Sequence, residues 1–121
     1  DDMISSGGSM IDTARQLKNM DAGRVFICCT YGLFTDGIAD FGAAYEEGIF
    51  NKVIVTNLSY RTEELKSRPY YIEADMSKFL ASLIDYSNHD VSMDKVITPT
   101  DKIHEILKKY NSHEEVAIPL S

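Results

Sequence analysis

The first nine residues, Asp1-Asp2-Met3-Ile4-Ser5-Ser6-Gly7-Gly8-Ser9, carry the side chains best suited to chemistry. Two adjacent carboxylates lead without a gap into a loop of small residues. A carboxylate accepts hydrogen bonds, and a vicinal diol offers it two donors. The loop offers the opposite character. Gly7 and Gly8 permit close backbone approach and positive φ, and Ser5, Ser6 and Ser9 add hydroxyl donors. Met10, Ile11, Ala14 and Leu17 then recur at helical spacing, so the loop opens a helix whose first N–H groups are unpaired and suit a phosphate. Ser9 is the expected N-cap, and Asp12 the expected carboxylate of the first turn. Acids on one side of a phosphate seat fit a ligand with hydroxyls at one end and phosphate at the other, such as a sugar phosphate. The plainer alternative is a turn followed by a capped helix, which is what a bare Ser/Gly loop usually means. An acid pair, an apolar pair and then the loop make a narrower pattern.

The elements that must position this loop follow in order. The first helix is expected over residues 9–20, stopping at Asp21-Ala22-Gly23. Residues 24–30 form a continuous apolar run, as expected of a parallel strand covered on both faces. A loop over 31–37 follows. Ile38, Phe41 and Tyr45 then share a helical face, with Gly48 as the residue just past its end. Residues 52–56 read as a second buried strand, 62–66 as a short helical turn inside a loop, and 70–73 as a third strand. Phe79, Leu80, Leu83 and Ile84 stripe the next helix, with Asp75 or Ser77 near its cap. Residues 91–97 read as a short extended segment. Ile103, Ile106, Leu107 and Tyr110 form one face of a last helix, and residues 111–121 lack periodicity and are expected to fray. Strands alternating with helices give an α/β fold with a parallel sheet.

A chain of 121 residues suffices for one modest core. Its 44% hydrophobic and 26% charged residues are ordinary for a globular protein, and no apolar run approaches ~18 residues. The net charge of -7 argues against a nucleic-acid-binding surface and leaves a local anion site dependent on backbone dipoles. Cys28 and Cys29, the only cysteines, are poorly placed to bridge each other and read as buried, reduced thiols, which suits a cytoplasmic protein. His89, His104 and His113 are scattered and read as surface or packing residues.

Residues 1–9 resemble the phosphoribosyl-pyrophosphate-binding signature of type I phosphoribosyltransferases: acid-acid, two or three apolar residues, then Thr-Gly-Gly-Thr. Ser6-Gly7-Gly8-Ser9 keeps each hydroxyl, and Ser5 stands where many members carry Asp. Thr30-Tyr31-Gly32-Leu33-Phe34-Thr35 is similar to the Thr-His-Gly-Leu-Phe-Ser stretch of ribose-phosphate pyrophosphokinases, and Val55-Thr56-Asn57 matches their Val-Thr-Asn. Residues 72–84 resemble that family's last strand and helix, and Asn88-His89-Asp90-Val91-Ser92 its closing Asn-Glu-Ser-Val-Ser. The likeness covers residues 1–92. Tyr31 replaces the family's His, Leu58-Ser59-Tyr60-Arg61 lacks its usual Pro, and the chain continues over 93–121, with Asp94 and Lys95 where an apolar residue is usual.

The resemblance implies a parallel-sheet phosphoribosyltransferase-like (Rossmann-like) domain over residues 1–92, with 93–121 as an extension carrying one helix. It implies diphosphoryl transfer from ATP to ribose 5-phosphate, with Mg²⁺ bridging the phosphates. Ser5, Ser6, Gly7, Gly8 and Ser9 would hold the 5-phosphate, and Asp1 and Asp2 the ribose hydroxyls. The family's strand before the acid pair, its catalytic Lys and Arg, its metal-site residues and its adenine pocket lie upstream of the matched stretch. The chain is therefore expected to be the carboxyl-terminal piece of a longer protein, with no catalytic residue of its own and no activity alone. A nucleobase phosphoribosyltransferase and a non-catalytic regulatory relative stay open as alternatives. Homo-oligomers are implied, without nucleic-acid or membrane partners. Phe34 and Phe50 are candidates either for an interface or for packing within the domain.

Overall fold

The computed structural model describes residues 1–90 and 92–112. One compact unit spans Asp1–Ala74. In it, β1 (Met3–Ile4) leads into α1 (Gly8–Asn19), and β2 (Phe26–Cys29) and β3 (Tyr31–Gly32) flank Thr30. Then come α2 (Ala39–Glu46), β4 (Lys52–Thr56), α3 (Glu63–Lys66) and β5 (Tyr71–Ala74). All strand pairs are parallel. β1 lies beside β3 with Met3 opposite Tyr31, and the order β2-β4-β5 sets Ile27 opposite Val53 and Val53 opposite Tyr71. This is the expected α/β class with open parallel sheets.

The core sits between one sheet face and its helices. Ile27, Cys29, Val53 and Val55 are buried with Ile11 and Ala14 of α1 and Phe41 and Ala44 of α2. An aromatic chain runs through it. Phe34 meets Phe41 at 5.1 Å, Phe41 meets Phe50 at 6.0 Å, and Phe50 meets Tyr70 at 5.5 Å, all edge-on. Phe34 and Phe50 thus pack within the unit, and neither is an exposed interface residue.

The other sheet face is different. Register puts Cys28, Ile54 and Ile72 in one row, and Phe26 is 52% and Ile72 39% exposed. The run 24–30 is therefore not covered on both faces as expected. Its burial alternates, with Phe26 and Cys28 out and Ile27 and Cys29 in. Uninterrupted apolar character hides this period, because both kinds of position carry the same residue types. Cys28 is accordingly exposed, against the expectation of two buried thiols.

Local chemistry explains most boundaries. Asp21, at φ 61°, ends α1 in a left-handed turn, and Lys18 Nζ bonds the Gly23 carbonyl there. Gly48, at φ 74°, closes α2 as expected, its N–H reaching Tyr45 O at 2.9 Å. Thr62 caps α3 by accepting from Leu65 N–H at 3.1 Å. Tyr31 and Gly32, expected in a loop, are instead β3, because Tyr31 N–H donates to Asp2 O at 2.9 Å and Leu33 N–H to Ile4 O at 2.8 Å.

From Asp75 a second unit carries α4 (Ser77–Asn88), α5 (Asp94–Ile97) and α6 (Thr100–Asn111). Asp75 Oδ1 accepts from Ser77 N–H at 2.9 Å beside the start of α4, whose N-cap position is Met76. Residues 94–97 are helical, where an extended segment was expected, and Val91 lies outside the described residues. The apolar stripe of α6 forms as its spacing dictates, with Ile103, Leu107 and Tyr110 exposed. His89 and His104 are exposed, and His113 lies outside the described residues with most of the segment expected to fray.

Candidate functional site

β1 ends at Ile4, which is 1% exposed and anchors the loop in the core. Beyond it Ser5, Ser6, Gly8 and Ser9 are exposed, while Gly7 between them is buried. The N-cap is Gly7, not Ser9, and no side chain caps the helix. Gly7 has φ 92°, a conformation that costs glycine little and other residues more. Ser9 is already helical, with its carbonyl accepting from Thr13 Oγ1 at 2.8 Å. Starting the helix earlier also moves Asp12 past the first turn, which holds no acid. The end of α1 facing Ser5 and Ser6 thus has neither a capping side chain nor a carboxylate, which suits an incoming anion.

The loop is held from two sides. Thr35 N–H donates to Ser5 O at 3.0 Å, tying it to the segment after β3. From below, a β-carbon on residue 7 would clash with the Phe41 ring, coming within 2.6 Å of Cζ. Phe34, which packs on Phe41, sits at φ 47°, an unusual conformation for a bulky residue. Neither Phe34 nor Phe41 was legible as a site neighbour. Phe41 shows in the sequence only as one apolar position of a helical face.

Beside Gly8 the surface between α1 and α2 is lined by Asp12, Arg15, Asp40 and Glu47. Arg15 donates to Glu47 Oε2 at 2.6 Å, and this bond holds the Glu47 carboxyl below its ordinary range. The one cation there is already paired. Anion affinity at the loop therefore falls to main-chain N–H groups and serine hydroxyls.

The acid pair separates in role. Asp1 lines a groove with Met10, Leu17 and Phe26, its main-chain nitrogen donating to Cys28 O at 3.1 Å. Its carboxylate accepts from Asp2 N–H at 2.7 Å. Asp2 is exposed and enters the sheet through its carbonyl, which accepts from Tyr31. Among the described residues no group of three or more His, Cys, Asp or Glu converges to hold a metal ion. Nor is any helix among them long and apolar enough to cross a membrane.

A second polar cluster lies between the loop after β4 and β5. Arg61 Nε donates to Glu73 Oε1 at 2.5 Å, and Tyr71 Oη donates to the same oxygen at 3.2 Å. Burial, then the Glu73 charge, pushes the Tyr71 phenol up to about 12. Arg61 also donates to the carbonyls of Asn57 and Ser59 at 3.2 and 3.3 Å, so its guanidinium braces that loop.

No family model matches the chain. Individual relatives do. Ribose-phosphate pyrophosphokinase 2, chloroplastic, of Oryza sativa subsp. japonica is 31% identical over 96 residues, covering 79% of this chain and 23% of the relative. The ribose-phosphate pyrophosphokinase of Vibrio parahaemolyticus is 29% identical over 93 residues, covering 77% and 29%. That of Prochlorococcus marinus is 39% identical over 57 residues, covering 47% and 17%. The chain spans less than a third of the length of these relatives. It is, over that stretch, a homologue of the ribose-phosphate pyrophosphokinases.

Proposed function

We propose that this chain is the ribose-5-phosphate-binding part of a ribose-phosphate diphosphokinase, which makes 5-phosphoribosyl 1-pyrophosphate and AMP from ribose 5-phosphate and ATP. One observation carries the reading: the solvent-open turn over residues 5–9 at the uncapped start of α1, in a chain whose relatives share that enzyme's name. In this reading Ser5, Ser6 and Ser9 hydroxyls and the N–H groups around Gly7 and Gly8 hold the 5-phosphate. Asp1 and Asp2 accept from the ribose 2- and 3-hydroxyls and so aim the C1 oxygen. That oxygen attacks the β-phosphorus of ATP, the bond from this phosphorus to the α,β-bridging oxygen breaks, and AMP leaves. Such chemistry asks a protein for positioning and charge neutralisation more than for covalent help.

Mg²⁺ belongs to this reaction as the phosphates' counter-ion. The described residues do not fit a protein cage for it, so this chain would at most meet a cation carried in by substrate. Because the family's catalytic Lys and Arg lie upstream of the matched stretch, this reading expects the chain alone not to turn over ATP. Assembly into a cytoplasmic homo-oligomer belongs to the same reading. The experiment is a titration of this chain with ribose 5-phosphate, beside a Gly7→Val variant. Saturable binding by the unaltered chain that the variant loses supports the assignment, and equal responses refute it.

A further inference from the structure

We infer that Phe41 is the positioning residue of the anion loop: its ring, wedged under Gly7, sets the backbone shape in which Ser5, Ser6, Gly8 and Ser9 face outward. This deepens the proposed function and, for its ligand arm, rests on it. Phe41 is fully buried and cannot touch a ligand. It acts by occupying the space that a β-carbon on residue 7 would need, clashing there through Cε2 and lying 2.6 Å away at Cζ. Two neighbours restrain the ring, Phe34 edge-on at 5.1 Å and Phe50 edge-on at 6.0 Å.

Two backbone oddities meet at this contact. Gly7 is left-handed at φ 92°, and Phe34 is left-handed at φ 47° although nothing in its side chain favours that. The two residues lie on the two loops that the Thr35 N–H to Ser5 O bond ties together. Phe41 packs against both, so the loops share one apolar floor. Preorganised donors bind oxyanions well only if their positions are fixed before the ligand arrives. A floor under the single buried residue of an otherwise exposed turn supplies that fixity.

The test uses this chain, inorganic phosphate as probe, and amide NMR. In Phe41→Leu the amide resonances of residues 5–9 should move and the phosphate dissociation constant should rise about tenfold, the scale expected when binding groups lose their set geometry. Phe50→Leu truncates the same aromatic chain one step further from the loop. It should lower the melting temperature comparably while leaving those amides and phosphate affinity as in the unaltered chain. Gly7→Ala should shift the amides, and adding Phe41→Leu should restore part of the shift, because the shorter side chain makes room for the new methyl group. Should Phe41→Leu not fold, Phe41→Met provides the same readouts with the volume more nearly kept. Unmoved amides in the Phe41 variant, or equal effects from Phe50→Leu, overturn the inference. If the unaltered chain fails to bind phosphate, the proposed function fails, while the ligand-free amide shifts still decide whether Phe41 shapes the loop.

Discussion

Tyr70 stands edge-on to Phe50, ring centres 5.5 Å apart, and its hydroxyl is buried without a hydrogen-bond partner among the described residues. The ring also packs on Tyr45 at 5.2 Å, and the oxygen contributes nothing to offset its lost hydration. An orphaned buried hydroxyl costs about 1–3 kcal/mol. Tyr70→Phe should therefore leave stability unchanged or raise it by up to about 1 kcal/mol, whereas Tyr70→Ala should lose about 3–5 kcal/mol. Urea unfolding of the two variants checks both signs.

Gly7 and Gly8 are neighbours with opposite tolerances. A β-carbon on Gly8 meets nothing within 4 Å, while one on Gly7 runs into Phe41 at a φ of 92°. Gly8→Ala should thus hold or raise stability by about 0.5–1 kcal/mol, the usual helical gain over glycine. Gly7→Ala should cost more than about 1–2 kcal/mol from backbone handedness alone. Comparing thermal midpoints of the pair separates a structural glycine from a permissive one.

Tyr71 gives a pH dependence with a definite sign. Burial beside the Glu73 carboxylate pushes its phenol up to about 12, from an ordinary value of 10.0. Between those values the folded chain keeps a proton that the unfolded chain has lost. Stability from this group is thus fully present below pH 10.0 and falls as pH rises toward about 12. The urea midpoint should decline over that window, and Tyr71→Phe should flatten the decline.

The two thiols should behave differently. Cys28 is exposed, while Cys29 is buried and burial pushes its thiol up. Alkylation of the folded chain at mildly alkaline pH should modify Cys28 quickly and spare Cys29 until denaturant is added. Peptide mapping of the product identifies the site.

Much of the fold was legible because its cues are local. Gly48 ended α2, the short helical turn expected over 62–66 is α3, and the apolar run of residues 52–56 gave β4 to the residue. What escaped depended on partners far along the chain. Tyr31 and Gly32 look like a loop until β1, only two residues long, pairs with them. Ser9 has the better capping side chain, yet Gly7 takes the position, its carbonyl accepting from Ile11 N–H at 3.1 Å, and Phe41, thirty-four residues on, fills the space a side chain would need there. The candidate loop was found from its residue types, but the floor that shapes it was not. A buried phenylalanine has no signature beyond its helical phase.

The uncovered sheet face has a practical consequence. Phe26 and Ile72 present oily side chains to water on that face, and Met3 and Tyr31 do so on the neighbouring β1–β3 pair. Such a surface wets poorly, so it should light up a fluorescent dye that partitions into greasy clefts even though the fold is intact. It should also make the isolated chain prone to clump as its concentration rises, and mild detergent or a little arginine in the buffer would then serve its handling better than added salt.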